Sequence, residues 1–236
     1  MSHPESFTAT RWTLVAQARG EDDAGRSALS ELCAAYYEPV VAFLRSEGRT
    51  DDAARELAHG FFARLLAGGG LRGADPARGR FRSYLLGAVK HFLRDERAQR
   101  LAAKRGGGIQ PIPLEDTASG FGESDSRSKA AERAYDRQWA LTIVARGLEA
   151  VAAELRQAGK SEQFDILKPW ITGEADITQA EAATRLSMSE GAVKVAIHRL
   201  GQRFREEVKA EISQTIPVDD DPDAELRHLI AILAGS

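Results

Sequence analysis

"ITQAEAATRLSMSEGAVKVAIHRLGQRFRE", residues 177–206, is the stretch whose reading decides the fold. Thr178 and Glu181 stand in capping-box spacing, in which the threonine oxygen caps the third amide and the glutamate reaches back to the cap. A short helix therefore starts there, and it buries Ala182, Ala183 and Leu186, small enough for a second helix to cross closely. "SMS" breaks the period. Ser189 then caps a second helix whose inward stripe is Val193, Ala196, Ile197, Leu200 and Phe204. Two short helices around a tight turn make a helix-turn-helix. Its second helix leaves Glu190, Gly191, Lys194, Val195, His198 and Arg199 outside, with Arg203 and Arg205 beyond. Cations around a glycine that permits close approach suit a helix lying in a DNA major groove. The competing reading is a solvated face on a helical bundle.

Outward from this stretch, nearly every segment has helical spacing or turn punctuation, and no alternating β-branched run of strand length occurs. The fold class is all-α. Helices are expected near 10–18, over 27–47 with Pro39 kinking it, over 51–66, and from Phe81 to about Leu101. The last carries Phe81, Leu85, Ala88, Val89, Phe92 and Leu93 on one face, which makes Phe81 and Phe92 core. "GGGIQPIPLEDTASGFGESDSRS" has no apolar period and is rich in Gly, Pro, Ser and acids, so residues 106–128 are expected to be a flexible linker. Helical order resumes near Ala130. The expected organisation is a helical domain over 1–105, the linker, a helix-turn-helix domain over 129–216, and an acidic extension over 217–236 with a short helix.

Composition bounds the function. The chain has 236 residues, 43% hydrophobic and 28% charged, and no apolar run near the roughly 20 residues of a membrane helix. A single cysteine, Cys33, and an N-terminus without secretory order point to the cytoplasm. Net charge is −3, which argues against indiscriminate coating of nucleic acid. Charge is instead segregated: nine Lys or Arg face only Asp95 and Glu96 between residues 78 and 105, whereas five acids face only Arg227 after residue 216. The five histidines are dispersed without metal-ligand spacing, and neither glycine run has the Gly-Lys-Ser/Thr ending of a phosphate loop. No cofactor, metal site or catalytic residue is expected, and the chain reads as a non-enzyme.

"SEGAVKVAIHR" resembles the region 4 helix-turn-helix of bacterial extracytoplasmic-function RNA polymerase sigma factors, and "DDAARELAHGFFARLL" followed by "ADPARGRFRSYLLGAVKHFLRDERAQRLAAKR" is similar to their region 2. The resemblance runs from about residue 27 to residue 212. It implies a transcription initiation factor that brings RNA polymerase core to promoter DNA, region 4 reading the −35 element and region 2 melting and reading the −10 element. Residues 75–80 fall where the family's loop captures a flipped base. The implied −10 contacts are Asp75, Arg78, Arg80, Arg82, Tyr84, Lys90, His91, Arg94 and Arg97, cations and aromatics of the kind that hold single strands. The implied −35 contacts are Glu190, Gly191, Lys194, Val195, His198, Arg199 and Arg203. Where the family carries an acidic cluster for the polymerase clamp, this chain has "DDAARELAHG", so Asp52, Arg55, Glu56 and His59 take that position. An anti-sigma factor and a kinase are candidate partners, the kinase because a modification near Thr50 would supply negative charge the altered cluster lacks; the competing reading of Thr50 is an unmodified helix cap. The alternatives are a stand-alone helix-turn-helix regulator and a protein-interaction bundle that has lost polymerase binding.

The extension "TIPVDDDPDAELRHLIAILAGS" runs past the end of the resemblance. Asp223 is expected to cap a helix with Leu226, Leu229, Ile230 and Leu233 on one side. Such a stripe should dock on the rest of the chain, bringing Asp219, Asp220 and Asp221 near basic DNA-binding surface.

Overall fold

The computed structural model describes residues 15–20, 22–67, 70–105, 120–213, 216 and 220–235, and these are all-helical, without strands. The helices are α1 (Asp23–Ser46), α2 (Asp51–Ala67), α3 (Phe81–Arg105), α4 (Gly120–Gln157), α5 (Ser161–Thr172), α6 (Gln179–Arg185), α7 (Glu190–Ser213) and α8 (Pro222–Ala234), with 3-10 turns at Gly70–Gly73 and Pro76–Arg78. None is long and apolar enough to cross a membrane. Backbone contacts group the chain into two units. Unit 1 is Met1–Ala140 with Gln214–Asp220 and His228–Ser236; unit 2 is Leu141–Ser213 with Asp221–Arg227.

In unit 1, α1 starts earlier than its apolar spacing suggests, because the Asp22 carboxylate accepts from the Gly25 amide and caps it. It runs through Pro39 to Ser46. α1 and α2 pack antiparallel around Leu32, Tyr36, Val40, Leu44, Leu57, Phe61 and Phe62, all buried. Phe81, Leu85, Val89 and Phe92 of α3 join this core. Tyr36 meets Phe81 edge-on at 5.2 Å and Phe61 meets Phe92 at 5.7 Å, so the expected core role of Phe81 and Phe92 holds. Arg19 donates to the carbonyls of Leu71 at 3.1 Å and Ala74 at 2.5 Å, which pins the loop before α3.

The expected linker is shorter in regular terms than its composition suggests. Residues 106–119 lie outside the described residues, and 120–128 form the first turns of α4. Helix continues there because "SRSKAAERAYDRQWA" already carries Ala131, Tyr135 and Trp139 at intervals of four, all fully buried in unit 1. The expected first helix is described only from Val15, and Val15 and Ala18 are buried.

Unit 2 packs the end of α4, α5, α6 and α7 around Val151, Phe164, Leu167, Ala182, Ala183, Val193 and Leu200, with Leu186, Ala196, Ile197 and Phe204 partly buried against them. α4 crosses α7 closely at Gly147, where a Cβ would lie 2.8 Å from Val208 Cγ2. At the chain's end the cap of α8 is Asp221 rather than Asp223: its carboxylate accepts from the Asp223 amide at 2.9 Å and the Ala224 amide at 3.2 Å. Pro222 explains the shift, since proline fits the first helical position and leaves the cap to the residue before it. Leu226 and Leu229 are buried as expected, while Ile230 is 52% exposed.

Candidate nucleic-acid interface

The helix-turn-helix of unit 2 is built by three local devices. The capping box is complete: the Glu181 amide donates to Thr178 Oγ1 at 3.2 Å, and the Thr178 amide donates to Glu181 Oε2 at 2.7 Å. The Thr178 amide, and after it the Thr178 hydroxyl at 2.9 Å, donate to the Glu181 carboxylate and hold its pKa below the ordinary glutamate value. Ser187 then turns the chain with φ of 51°, a left-handed conformation uncommon for residues other than glycine. Ser189 finally caps α7, accepting from the Ala192 amide at 3.2 Å.

With Val193 and Leu200 buried, Glu190, Gly191, Lys194, Val195, His198 and Arg199 are all exposed on α7. A Cβ at Gly191 would meet nothing within 4 Å, so the space over the first turn is open to a ligand backbone. Among the described residues no carboxylate pairs with Lys194 or Arg199. Gly191, Val195 and Arg199 also rim a groove of about 660 Å3 whose floor is Val151, Leu155, Leu167 and Met188. Val195 is 49% exposed above it. Arg203 differs from its neighbours. Its guanidinium is held by Glu154 at 2.7 Å, Glu206 at 3.1 Å and Glu207 at 3.5 Å, and these carboxylates raise its pKa. It braces α7 against α4 and its charge is already compensated.

In unit 1 the loop before α3 is set by Asp75, whose carboxylate accepts from the Ala77 amide at 2.9 Å and whose carbonyl accepts from Arg78 at 3.0 Å. Gly79 follows with φ of 113°, outside the range of other residues. This Asx-type turn leaves Arg78 on the surface, its side chain 83% exposed. Tyr84, His91, Phe61 and Phe92 line a groove of about 580 Å3 between α2 and α3. Partial burial raises the Tyr84 phenol pKa. Arg94 reaches the His91 ring at 2.9 Å on the same rim. Further along α3, Arg97 and Arg100 meet Arg49 around a depression of about 250 Å3.

Three cations of the expected −10 set stand elsewhere. Arg82 is 5% exposed, donates to Asp136 at 2.6 Å and lies 4.5 Å over the Trp139 ring. Its backbone carbonyl accepts from the Tyr135 hydroxyl at 3.1 Å, and burial drives that hydroxyl's pKa well up. A buried arginine so enclosed contacts no DNA in this arrangement. Lys90 pairs with Glu132 at 2.5 Å, and Arg80 with Asp220 at 3.5 Å. Sequence reasoning missed Glu132 and Asp136. The available signal was their spacing of four beside Ala131, Tyr135 and Trp139, which puts two acids on the edge of an apolar stripe.

The residues expected to meet polymerase lie on α2 and its packing against α1. Arg55 bonds Glu38 at 3.2 Å and Asp51 at 3.3 Å, the former raising its pKa most. His59 stacks on Tyr37 at 5.2 Å and its Nε2 lies 3.0 Å from the Tyr37 hydroxyl. Asp52 and Glu56 are exposed. Thr50 Oγ1 accepts from the Ala53 amide at 3.4 Å, a capping role at the start of α2. Among the described residues no cluster of His, Cys, Asp or Glu could hold a metal ion. Comparison with family models, curated proteins and solved structures found no match to this chain.

Proposed function

We propose that this chain is a sigma-type transcription initiation factor: unit 2 reads duplex promoter DNA through α7, and unit 1 holds a melted strand through the loop at 75–80 and the outer face of α3. The observation that carries the reading is the recognition face of α7. Its neighbours are fixed by the capping box at Thr178, the left-handed Ser187 and the cap at Ser189, and that order of devices exposes Lys194, His198 and Arg199 along one side. Arg94 and Arg97 track phosphates, while the groove bearing Tyr84 and His91 accepts unstacked bases. The resemblance of residues 51–105 to sigma region 2 adds RNA polymerase core as the partner, with Asp52, Glu56 and His59 exposed among the residues of the polymerase set. The chain has no catalytic turnover of its own in this reading.

Promoter-dependent transcription with purified core polymerase tests it. Initiation at a defined site only when this protein is added supports the reading. A second reading, a stand-alone helix-turn-helix regulator, draws on the pairing of Arg80, Arg82 and Lys90 with carboxylates, which leaves α7 as the more open cationic face. Sequence-specific duplex binding with no effect of core polymerase would favour it. Activity in neither assay would leave a protein-interaction bundle.

A further inference from the structure

Acidic side chains from outside the α1–α3 bundle meet three of the cations through which unit 1 would bind a nucleic-acid strand. Glu132 and Asp136 lie one turn apart on α4, on one edge of the stripe that buries Tyr135 and Trp139, and meet Lys90 and Arg82. Asp220, in the segment after α7, meets Arg80 beside the Asp75 turn. The three pairs are unequal. Arg82 with Asp136 is largely buried, whereas Lys90 with Glu132 and Arg80 with Asp220 keep side-chain exposures of 37% and 40%, and of 35% and 43%. Exposed pairs of this kind exchange partners at little cost, and a phosphate is a stronger competitor than water for the same cation.

We propose that Glu132 and Asp220 are an internal substitute for phosphates: they occupy Lys90 and Arg80 in the free protein and must release them before unit 1 grips a single strand in full. The inference rests on the nucleic-acid reading of unit 1 and adds regulation to it. Tyr135 and Trp139 anchor the α4 acids with an apolar contact that does not depend on salt. The Glu132 carboxylate therefore stays near Lys90 at any ionic strength, and a strand must compete there with a fixed local carboxylate rather than a free ion. Opening the α4 and Asp220 contacts, by promoter DNA or by a protein that binds those acids, then raises affinity without altering the strand-contacting residues.

The test uses the full chain and a labelled mixed-sequence single strand of about 20 nucleotides. Binding is measured between 50 and 200 mM salt for wild type and for Glu132→Gln/Asp220→Asn. Each cation released adds about 0.7 to the slope of log Kd on log salt. The variant should therefore bind more tightly at low salt and, for each cation released, lose about 2.6-fold more affinity than wild type across that range. Glu47→Gln/Glu162→Gln changes net charge equally at sites away from these cations. If it steepens the slope as much, or if Glu132→Gln/Asp220→Asn behaves as wild type, the substitute role is overturned. Arg94→Gln/Arg97→Gln separates this from failure of the underlying reading: those changes should flatten the wild-type slope, and no effect would remove unit 1 as a strand-binding surface and the inference with it. A side-chain readout is independent of the variants' folding: the Glu132 carboxylate resonance of wild type should move when the strand saturates the protein, and an unmoved resonance overturns the release.

Discussion

Replacing Arg82 by methionine separates a structural arginine from a DNA-contacting one. The substitution keeps an unbranched stem on α3 but removes a charge-assisted bond to Asp136 at 2.6 Å and a cation–π contact 4.5 Å over Trp139. A hydrogen bond to a charged group contributes about 1.5–3 kcal/mol, and a desolvated cation–π contact about 2 kcal/mol. Two effects reduce the sum. The Asp136 side chain is 32% exposed, so water rather than an empty interior receives the abandoned carboxylate. Methionine also regains part of the packing against the indole. A net destabilisation of about 2–3 kcal/mol follows, a lower Tm by roughly 5–10 °C for a chain of this size. Thermal unfolding of the full chain followed by near-ultraviolet circular dichroism measures it. Arg82→Met/Asp136→Leu should recover at least half of the loss, because an apolar pair leaves no unmatched charge in place of the buried ion pair. An Arg82→Met protein as stable as wild type, with a flatter salt dependence of strand binding, would refute the reasoning and return Arg82 to the DNA surface.

The same substitution should act with opposite sign at two glycines of unit 2. Gly147→Ala gains about 1 kcal/mol of helix propensity but drives a Cβ to 2.8 Å from Val208 Cγ2 and 3.3 Å from Phe204 Cε2, so overpacking of about 1–3 kcal/mol wins and unfolding comes earlier. Gly201→Ala meets nothing within 4 Å and should stabilise by up to about 1 kcal/mol; urea midpoints of the two variants on the same side of wild type would contradict this. Because Glu181 is held below its ordinary pKa of 4.5, its contribution to the helix-turn-helix is present above that value and fades as pH falls through the lower folded pKa. Exchange protection of the α6 amides in wild type should therefore fall more steeply below pH 4.5 than in Glu181→Gln, and parallel profiles would count against the capping role. Lys194→Ala and His198→Ala should change preference at particular base pairs by about 1–3 kcal/mol in competition binding, while Arg199→Gln should weaken all duplexes alike.

Local chemistry was enough to read most of the helices and the caps of the helix-turn-helix. Thr178, Glu181 and Ser189 act within a few residues of themselves, so their bonds follow from spacing, and the buried stripe of Val193 and Leu200 follows from the helical period. Phe81 and Phe92 were legible as core for the same reason. The expected cap of α8, Asp223, gives way to Asp221, because Pro222 fits the first helical position and leaves the cap to the residue before it. Where each cation's charge goes depends on partners far along the chain: Arg82 and Asp136 are 54 residues apart, Lys90 and Glu132 42, and Arg203 and Glu154 49. The sequence by itself therefore determined an all-α chain with a helix-turn-helix and a basic α3, because periodicity and capping are short-range. Only the tertiary structure decided which of those basic side chains face outward, because a charge's environment is set by whatever the fold brings beside it.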